Sequence, residues 1–216
     1  MKHILNEPER DILNKLISSA EEKTNAQIVL AVIGRCDNYA EVPWKAFALG
    51  SSIAGLAIFL TDLVIFRWTT DTTILFTVAA ILITGAALSL LTVIRPEFAG
   101  FFISEIRKEI ETLQYAESLF LARELFATEG RRGILVLVGL FEKRIVILPD
   151  KGVKNILDND KMGKIILKMI PFLRKNDVRN ALETGLNGII EAICPPLPEG
   201  SGKNELSNEI IEEEGE

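Results

Sequence analysis

Two long apolar stretches dominate the hydrophobic pattern of the chain. Residues 46–61 carry no charge, and residues 63–66 extend this stretch beyond Asp62. Residues 72–94 form a second stretch without a charged side chain. A helix needs about 20 apolar residues to cross the hydrocarbon core of a bilayer, which is about 30 Å thick. The pattern therefore predicts two transmembrane helices, at about 46–66 and 72–94, in a hairpin of residues 44–96.

The alternative is a buried helical hairpin in a soluble protein. Helices in a protein core usually have a polar face or end well before this length. The polar side chains of residues 72–94 are all Thr or Ser, whose hydroxyls can bond their own helix backbone. The membrane interpretation is therefore favoured. Asp62 would then lie at the headgroup level, or else inside the membrane, where a carboxylate would mark an ion path.

The remaining pattern predicts an α/β domain that the hairpin interrupts. Residues 26–33 and 134–140 read as buried strands, and residues 144–148 follow the second strand after a short turn. A single strand cannot bury itself, so the first must pair with the later two. We therefore expect one domain in two parts, with a helix at 7–24 and the first strand in residues 1–43. The second part, residues 97–198, holds a helix, the strand pair and further helices.

The charge of the chain is concentrated at one end. The net charge is −6, and residues 199–216 alone hold seven Glu and one Lys. The rest of the chain is therefore neutral, which argues against nucleic acid as a partner because phosphate binding needs a basic face. The Gly-, Ser- and Glu-rich composition of residues 199–216 predicts a disordered tail.

Few residues are suited to metal or nucleophilic chemistry. Cys36 and Cys194 are the two cysteines, and His3 is the one histidine. This inventory offers no zinc framework, and the sequence contains no P-loop and no G-x-S-x-G motif. No cofactor is predicted from these residues.

Basic residues near the apolar stretches predict the membrane orientation. Lys45, Arg95, Arg107 and Lys108 lie on the side of the termini, whereas Arg67 stands alone between the two helices. Lys and Arg are concentrated on the cytoplasmic side of membranes. We therefore expect a two-pass protein whose termini and soluble domain are cytoplasmic, with the lipid bilayer as a partner.

Small residues recur within both apolar stretches. They allow helices to approach closely, either between the two spans or between protomers. We assign membrane-helix packing to Gly50, Ala54, Gly85 and Ser89. Asp71, followed by two Thr, is predicted to cap the second helix.

A series of short motifs follows the predicted elements in order. They are Glu22-x-Thr24, Asp37-x-Tyr39, Ala116-x3-Phe120, Thr128, Arg132-Gly133-x-Leu135, Glu142-x-Arg144, Pro149-Asp150-x-Gly152 and Gly185-Leu186. In this order around a hairpin, they resemble the TPM domain family, and in particular its bacterial membrane subfamily with an inserted two-helix hairpin. The resemblance implies an α/β/α sandwich around a small mixed sheet. It also implies the inner membrane as location, and a homo-oligomer or a complex with other TPM or LemA-type membrane proteins.

The resemblance also implies a disputed activity. Some soluble TPM members have been proposed as acid phosphatases that bind a divalent metal such as calcium. Their loop before the second strand commonly reads Asp-Asn-Gly, whereas this chain has Arg131-Arg132-Gly133, and two cations repel a divalent ion. The favoured hypothesis is therefore a non-enzymatic interaction or assembly module at the cytoplasmic face of the membrane. The alternative is a metal-dependent phosphatase that uses Asp37, Glu129 and Asp150.

Two further candidate sites lie in predicted turns. Arg131 and Arg132 are suited to an anion or a lipid headgroup, although a solvated charged turn is the favoured interpretation. Asp158 and Asp160 have the spacing of a loop cation site, but a cap of the following helix is favoured there. Asp150 is likewise expected to act mainly as a helix cap or turn residue.

Overall fold

The structure of the chain is a computed structural model that describes residues 4–64, 70–193 and 210–215. The chain forms two compact units. The first comprises Met1–Asp37 and Lys108–Glu216, and the second is the intervening segment Asn38–Arg107.

A four-stranded mixed sheet forms the centre of the first unit. Its strands are β1 (Gln27–Arg35), β2 (Gly133–Gly139), β3 (Arg144–Pro149) and β4 (Ile211–Gly215), in the order β3-β2-β1-β4. β1 runs parallel to β2 and to β4, whereas β3 is antiparallel to β2. Every residue of β2 is buried, as expected for a central strand that is covered on both faces.

Helices cover both faces of this sheet. Alternate strand residues such as Leu30 and Val136 join a core with α1 (Glu7–Thr24), α7 (Asn159–Arg174) and α8 (Val178–Ala192). Their neighbours Ala31 and Leu137 join a second core with α5 (Glu105–Ala122). The short α6 (Lys151–Lys154) follows β3, and 3₁₀ turns at Leu125–Ala127 and Glu129–Arg131 precede β2. The expected α/β/α sandwich around a small mixed sheet is confirmed.

The first helix shows why the local sequence folds as predicted. Asn6 caps α1 by accepting a hydrogen bond from the Glu9 backbone N–H at 2.9 Å, and the Glu9 carboxylate accepts one from the Asn6 N–H at 3.0 Å. This reciprocal capping box satisfies two N–H groups that a helix start would leave unpaired. Leu13 and Ile17, on the apolar face of the helix, are fully buried in the core with the sheet.

The second unit is built on two long antiparallel helices. They are α2 (Glu41–Val64) and α3 (Asp71–Ile94), followed by α4 (Pro96–Ala99) and a 3₁₀ turn at Gly100–Phe102. Both long helices are long and apolar enough to cross a membrane, and only 6% of each apolar window is buried within the protein. The cap of α3 is Thr70 and not the predicted Asp71, because the Thr73 hydroxyl accepts from the Thr70 N–H and closes the first turn there.

The predicted disorder of residues 199–216 is wrong for the segment that forms β4. Composition alone suggested a solvated tail, but Ile210 and Ile211 are buried on opposite faces of the sheet. The side chains of Glu212 and Glu213 accept hydrogen bonds from Arg10 of α1 and Tyr115 of α5. Residues 199–209 and 216 lie outside the described part of the chain.

Candidate functional site

A forked ion pair lies where β3 ends and β2 begins. Asp150 follows β3, and its side chain accepts a hydrogen bond from the Lys151 N–H at 2.7 Å, which caps α6. The Arg131 Nε and Nη2 atoms donate to the two carboxylate oxygens of Asp150 at 2.7 and 2.9 Å. Only 4% of the Asp150 side chain is exposed, so a bidentate cation compensates this buried carboxylate.

The local sequence explains how Arg131 reaches Asp150. Gly130 and Arg131 have positive φ angles of 68° and 56°, a conformation that favours glycine at the first position. The resulting turn packs on Gly152, where any Cβ would overlap the Gly130 carbonyl oxygen. A guanidinium is charged in proteins in any case, and the hydrogen bond to Asp150 raises the pKa of Arg131 further.

The structure separates Asp37 from the other two acids of the phosphatase hypothesis. Glu129 is exposed in the turn that precedes β2, at the same end of the sheet as Asp150. Asp37 instead follows β1, whose Ile33 is paired with Gly139 at the far end of β2. Six residues of strand correspond to about 20 Å, so Asp37 cannot share a centre with the other two acids.

Asp158 acts as a helix cap, as favoured from the sequence. Its side chain accepts a hydrogen bond from the Lys161 N–H at 2.9 Å, and Asp160 lies exposed in the first turn of α7. Within residues 4–64, 70–193 and 210–215, no group of three or more His, Cys, Asp and Glu side chains could hold a metal ion. Arg132, the other predicted anion ligand, is half-buried, and its backbone N–H donates to the Thr128 hydroxyl at 3.0 Å.

A buried carboxylate at the opposite end of the sheet was missed by the sequence analysis. Glu142, in the turn between β2 and β3, is buried and accepts a hydrogen bond from the Cys36 N–H at 2.9 Å. Gly139 leaves room for this contact, since a Cβ there would lie 2.9 Å from Glu142 Oε2. The adjacent charges of Glu142 and Lys143 predict an exposed turn in the sequence. The contact between Glu142 and Cys36 arises only from the pairing of β1 with β2.

The Cys36 thiol is kept protonated by these surroundings. Its burial, and next the charge of Glu142 and a hydrogen bond to it, raise the pKa of the thiol far above its usual range. Because the thiolate is the nucleophile, a thiol held neutral is unreactive. This cluster is therefore suited to holding the strand ends together and not to covalent catalysis.

In the helical unit, two of the predicted packing residues lie at the helix crossing. A Cβ at Gly50 would be 3.0 Å from the Thr84 carbonyl oxygen and 3.1 Å from the Gly85 Cα, and one at Gly85 would overlap the Ser51 hydroxyl. Ala54 and Ser89 are half-buried on the same helices. The outward side chains are large and apolar, and they include Leu56, Phe59, Leu63, Leu75, Phe76, Leu82, Ile83 and Val93.

A known family model matches part of the chain. Residues 98–192 match the model of the TPM domain family. The matched segment runs from α4 to the end of α8, and it contains the Arg131–Asp150 pair and Glu142. It excludes β1, β4 and both long helices, α2 and α3.

A solved structure has a similar fold over nearly the whole chain. The NMR structure of the BA42 protein from the psychrophilic bacterium Bizionia argentinensis aligns with a TM-score of 0.57 and 14% sequence identity. The alignment covers 98% of this chain and 97% of that one. At this identity the likeness concerns the fold alone. No curated protein sequence matches the chain.

Proposed function

We propose that this protein is a membrane-anchored TPM-type domain that acts as a non-enzymatic interaction or assembly module. The observation that carries the proposal is the forked pair between Arg131 and Asp150. Divalent cations bind carboxylate oxygens, and here a guanidinium already occupies both oxygens of the buried acid. A metal would have to displace a bidentate cation from its partner.

The separation of the candidate acids supports the same proposal. Metal-assisted phosphate-ester hydrolysis needs several groups around one reacting phosphorus atom. Asp37 lies at the other end of the sheet from Asp150, and Glu129 is exposed to solvent. The metal-dependent phosphatase remains the competing hypothesis.

The anchoring part of the proposal is supported by the exposure of α2 and α3. Large apolar side chains point outward along both helices, and the buried fraction of each apolar window is 6%. In water such a surface would be costly, at about 25 cal/mol for each Å² of apolar area. A hydrocarbon environment removes this cost, whereas a buried core helix would have its side chains covered by the protein.

We further propose the inner membrane as the location, with the termini and the sheet-containing unit in the cytoplasm. This orientation rests on the flanking cations Lys45, Arg95, Arg107 and Lys108 against Arg67 in the connection. A second copy, or another TPM or LemA-type membrane protein, is the proposed partner. Anion or headgroup binding at Arg132 belongs to the same proposal.

Calcium titration of the purified full chain in detergent tests the non-enzymatic proposal. A site with a Kd of about 0.1 mM would add roughly 2.7 kcal/mol at 10 mM calcium, a shift of several degrees in thermal unfolding. We expect no shift for the wild type and no hydrolysis of p-nitrophenyl phosphate. R131A frees the Asp150 carboxylate but adds no further acidic ligand, so it should show no calcium-dependent shift, like the matched variant R132A.

The opposite outcome would favour the phosphatase. Wild-type protein that hydrolyses the ester only with divalent metal, and loses this activity in D150N, would overturn the non-enzymatic proposal. D150N keeps the size of the side chain and an oxygen that can cap α6, so a loss of activity would not reflect the cap alone.

A further inference from the structure

β4 is an edge strand that side chains from both neighbouring layers hold in place. Its register against β1 joins Ala31 to Ile211 and Arg35 to Gly215. Gly34 is needed for this approach, since a Cβ there would lie 2.6 Å from the Glu214 carbonyl oxygen. The edge of β1, with α1 on one face and α5 on the other, therefore forms a groove that fits a strand.

On the α1 face, the groove binds an acidic side chain. Glu212 Oε1 accepts from Arg10 Nε at 2.9 Å and lies 2.8 Å from Arg10 Nη2, while Oε2 accepts from the Ile4 N–H at 2.9 Å. Only 7% of the Glu212 side chain is exposed. Burying a carboxylate costs free energy unless cationic and N–H groups donate hydrogen bonds to it, as Arg10 and Ile4 do here.

On the α5 face, the groove binds a second acid. The Tyr115 hydroxyl donates to Glu213 Oε2 at 2.6 Å, and Arg123 Nη2 lies 3.7 Å from Glu213 Oε1. Ile210 and Ile211 fill apolar sites on the two faces of the sheet. Each residue of an Ile-Ile-Glu-Glu strand therefore has a matching site in the groove. A strand with basic residues at the two Glu positions would be repelled by Arg10 and Arg123.

Several features make β4 the strand that can exchange. Among the described residues, β4 has five residues and pairs with β1 alone, whereas β1 has nine residues and pairs on both edges. Short edge elements with few buried apolar contacts open at a lower free energy than central strands. The 16 residues 194–209 that precede it would span roughly 50 Å if fully extended.

We infer that this groove also binds β4 of a second copy of the chain, so that two copies exchange strands. Each groove is complementary to Ile210–Glu213 of this same sequence, so the strand of a second copy makes identical contacts. Exchange of identical elements closes a two-fold pair and is a low-cost route to dimers. The inference rests on the proposed assembly function and specifies the partner as a second copy.

A charge-reversal experiment on full-length protein tests the exchange. R10E and E212R chains with different affinity tags are mixed in detergent, warmed to allow strand exchange, and captured through one tag. In an exchanged heterodimer, one groove pairs the two substituted side chains, which have opposite charges, and the other groove pairs the unchanged Arg10 and Glu212. Attraction is thereby restored in both grooves. We expect capture about tenfold above that of either variant mixed with itself, which corresponds to ~1.4 kcal/mol.

The R10E/E212R double variant is the matched control, because it restores the ion pair within one chain. Differently tagged copies of it should be captured no more than differently tagged wild-type copies. Equal capture in all mixtures would overturn the strand exchange and leave the assembly function standing through another surface. No capture in any mixture, including wild type with wild type, would overturn self-assembly altogether.

A disulfide measurement covers the case in which a charge-reversed variant fails to fold. Val32 and Glu212 are register partners, so V32C in one copy and E212C in another would be linked only through exchange. With the native cysteines replaced by Ser, we expect a covalent dimer from the mixed copies under mild oxidation. Absence of the dimer, when the V32C/E212C chain forms its internal link, would overturn the inference.

Discussion

Strand β2 and helix α3 are both almost wholly apolar, yet they have opposite surroundings. Every residue of β2 is buried, because helices cover both faces of the sheet and strands pair with both of its edges. In α3, by contrast, only Gly85 and Thr92 are buried. Protein covers the apolar side chains of β2, whereas under the proposed anchoring lipid would cover those of α3.

The largest expected difference between the two regions comes from one substitution made in both. Leu30→Ala in the sheet removes a side chain with 0% exposure and should lower the free energy of unfolding by about 2–5 kcal/mol. Leu82→Ala on α3, where the side chain is 52% exposed, should cost less than about 0.5 kcal/mol. Denaturant unfolding of both variants in the same detergent provides the measurement. Equal losses would mean that the α3 surface is covered by protein.

A smaller effect is expected from the contact between α2 and α3. Gly85→Val should weaken this packing by about 1–3 kcal/mol, because the added side chain would overlap Ser51 and the Phe47 ring. Gly55→Val is the matched control, since the nearest atom to its Cβ is Ile81 Cδ1 at 4.0 Å. Thermal unfolding followed by helical circular dichroism compares the two. Similar stability of both variants would contradict a close crossing at Gly85.

The pattern of apolar residues was sufficient to predict α1 and the first three strands of the first unit. The helix predicted at 7–24 matches α1, and the strands predicted at 26–33, 134–140 and 144–148 match β1, β2 and β3 within two residues. These elements follow from local spacing of apolar residues, a rule that does not depend on distant contacts. The fourth strand does not follow that rule, because its acids are satisfied by Arg10 and Tyr115, which are distant in sequence.

The candidate site was only partly predictable for the same reason. Asp150 and Asp158 cap helices, as their position before helical segments suggested. The role of Arg131 differs from a free anion ligand, since its guanidinium is held by Asp150, 19 residues later in the chain. Such pairs depend on strand register, which no motif in a single sequence encodes.

The smallest expected effect concerns the buried thiol at the far end of the sheet. Because burial and Glu142 raise the pKa of Cys36, the folded protein keeps this thiol protonated at a pH where the unfolded chain ionises it. Stability should therefore fall slightly as the pH rises above about 8.5, the usual pKa of a thiol. In a Cys194→Ser background, iodoacetamide should label Cys36 slowly at pH 9. The same thiol should be labelled faster when E142Q is added. Rapid wild-type labelling would contradict the buried contact.

Alkaline carbonate extraction tests the central claim most directly, namely that α2 and α3 anchor the chain in lipid. Membranes from cells producing the full chain are washed at high pH, which strips peripheral proteins, and the remainder is treated with detergent. Retention through the wash and release by detergent is the predicted result. Recovery of the chain in the wash, or as a monomer in buffer without detergent, would contradict the account.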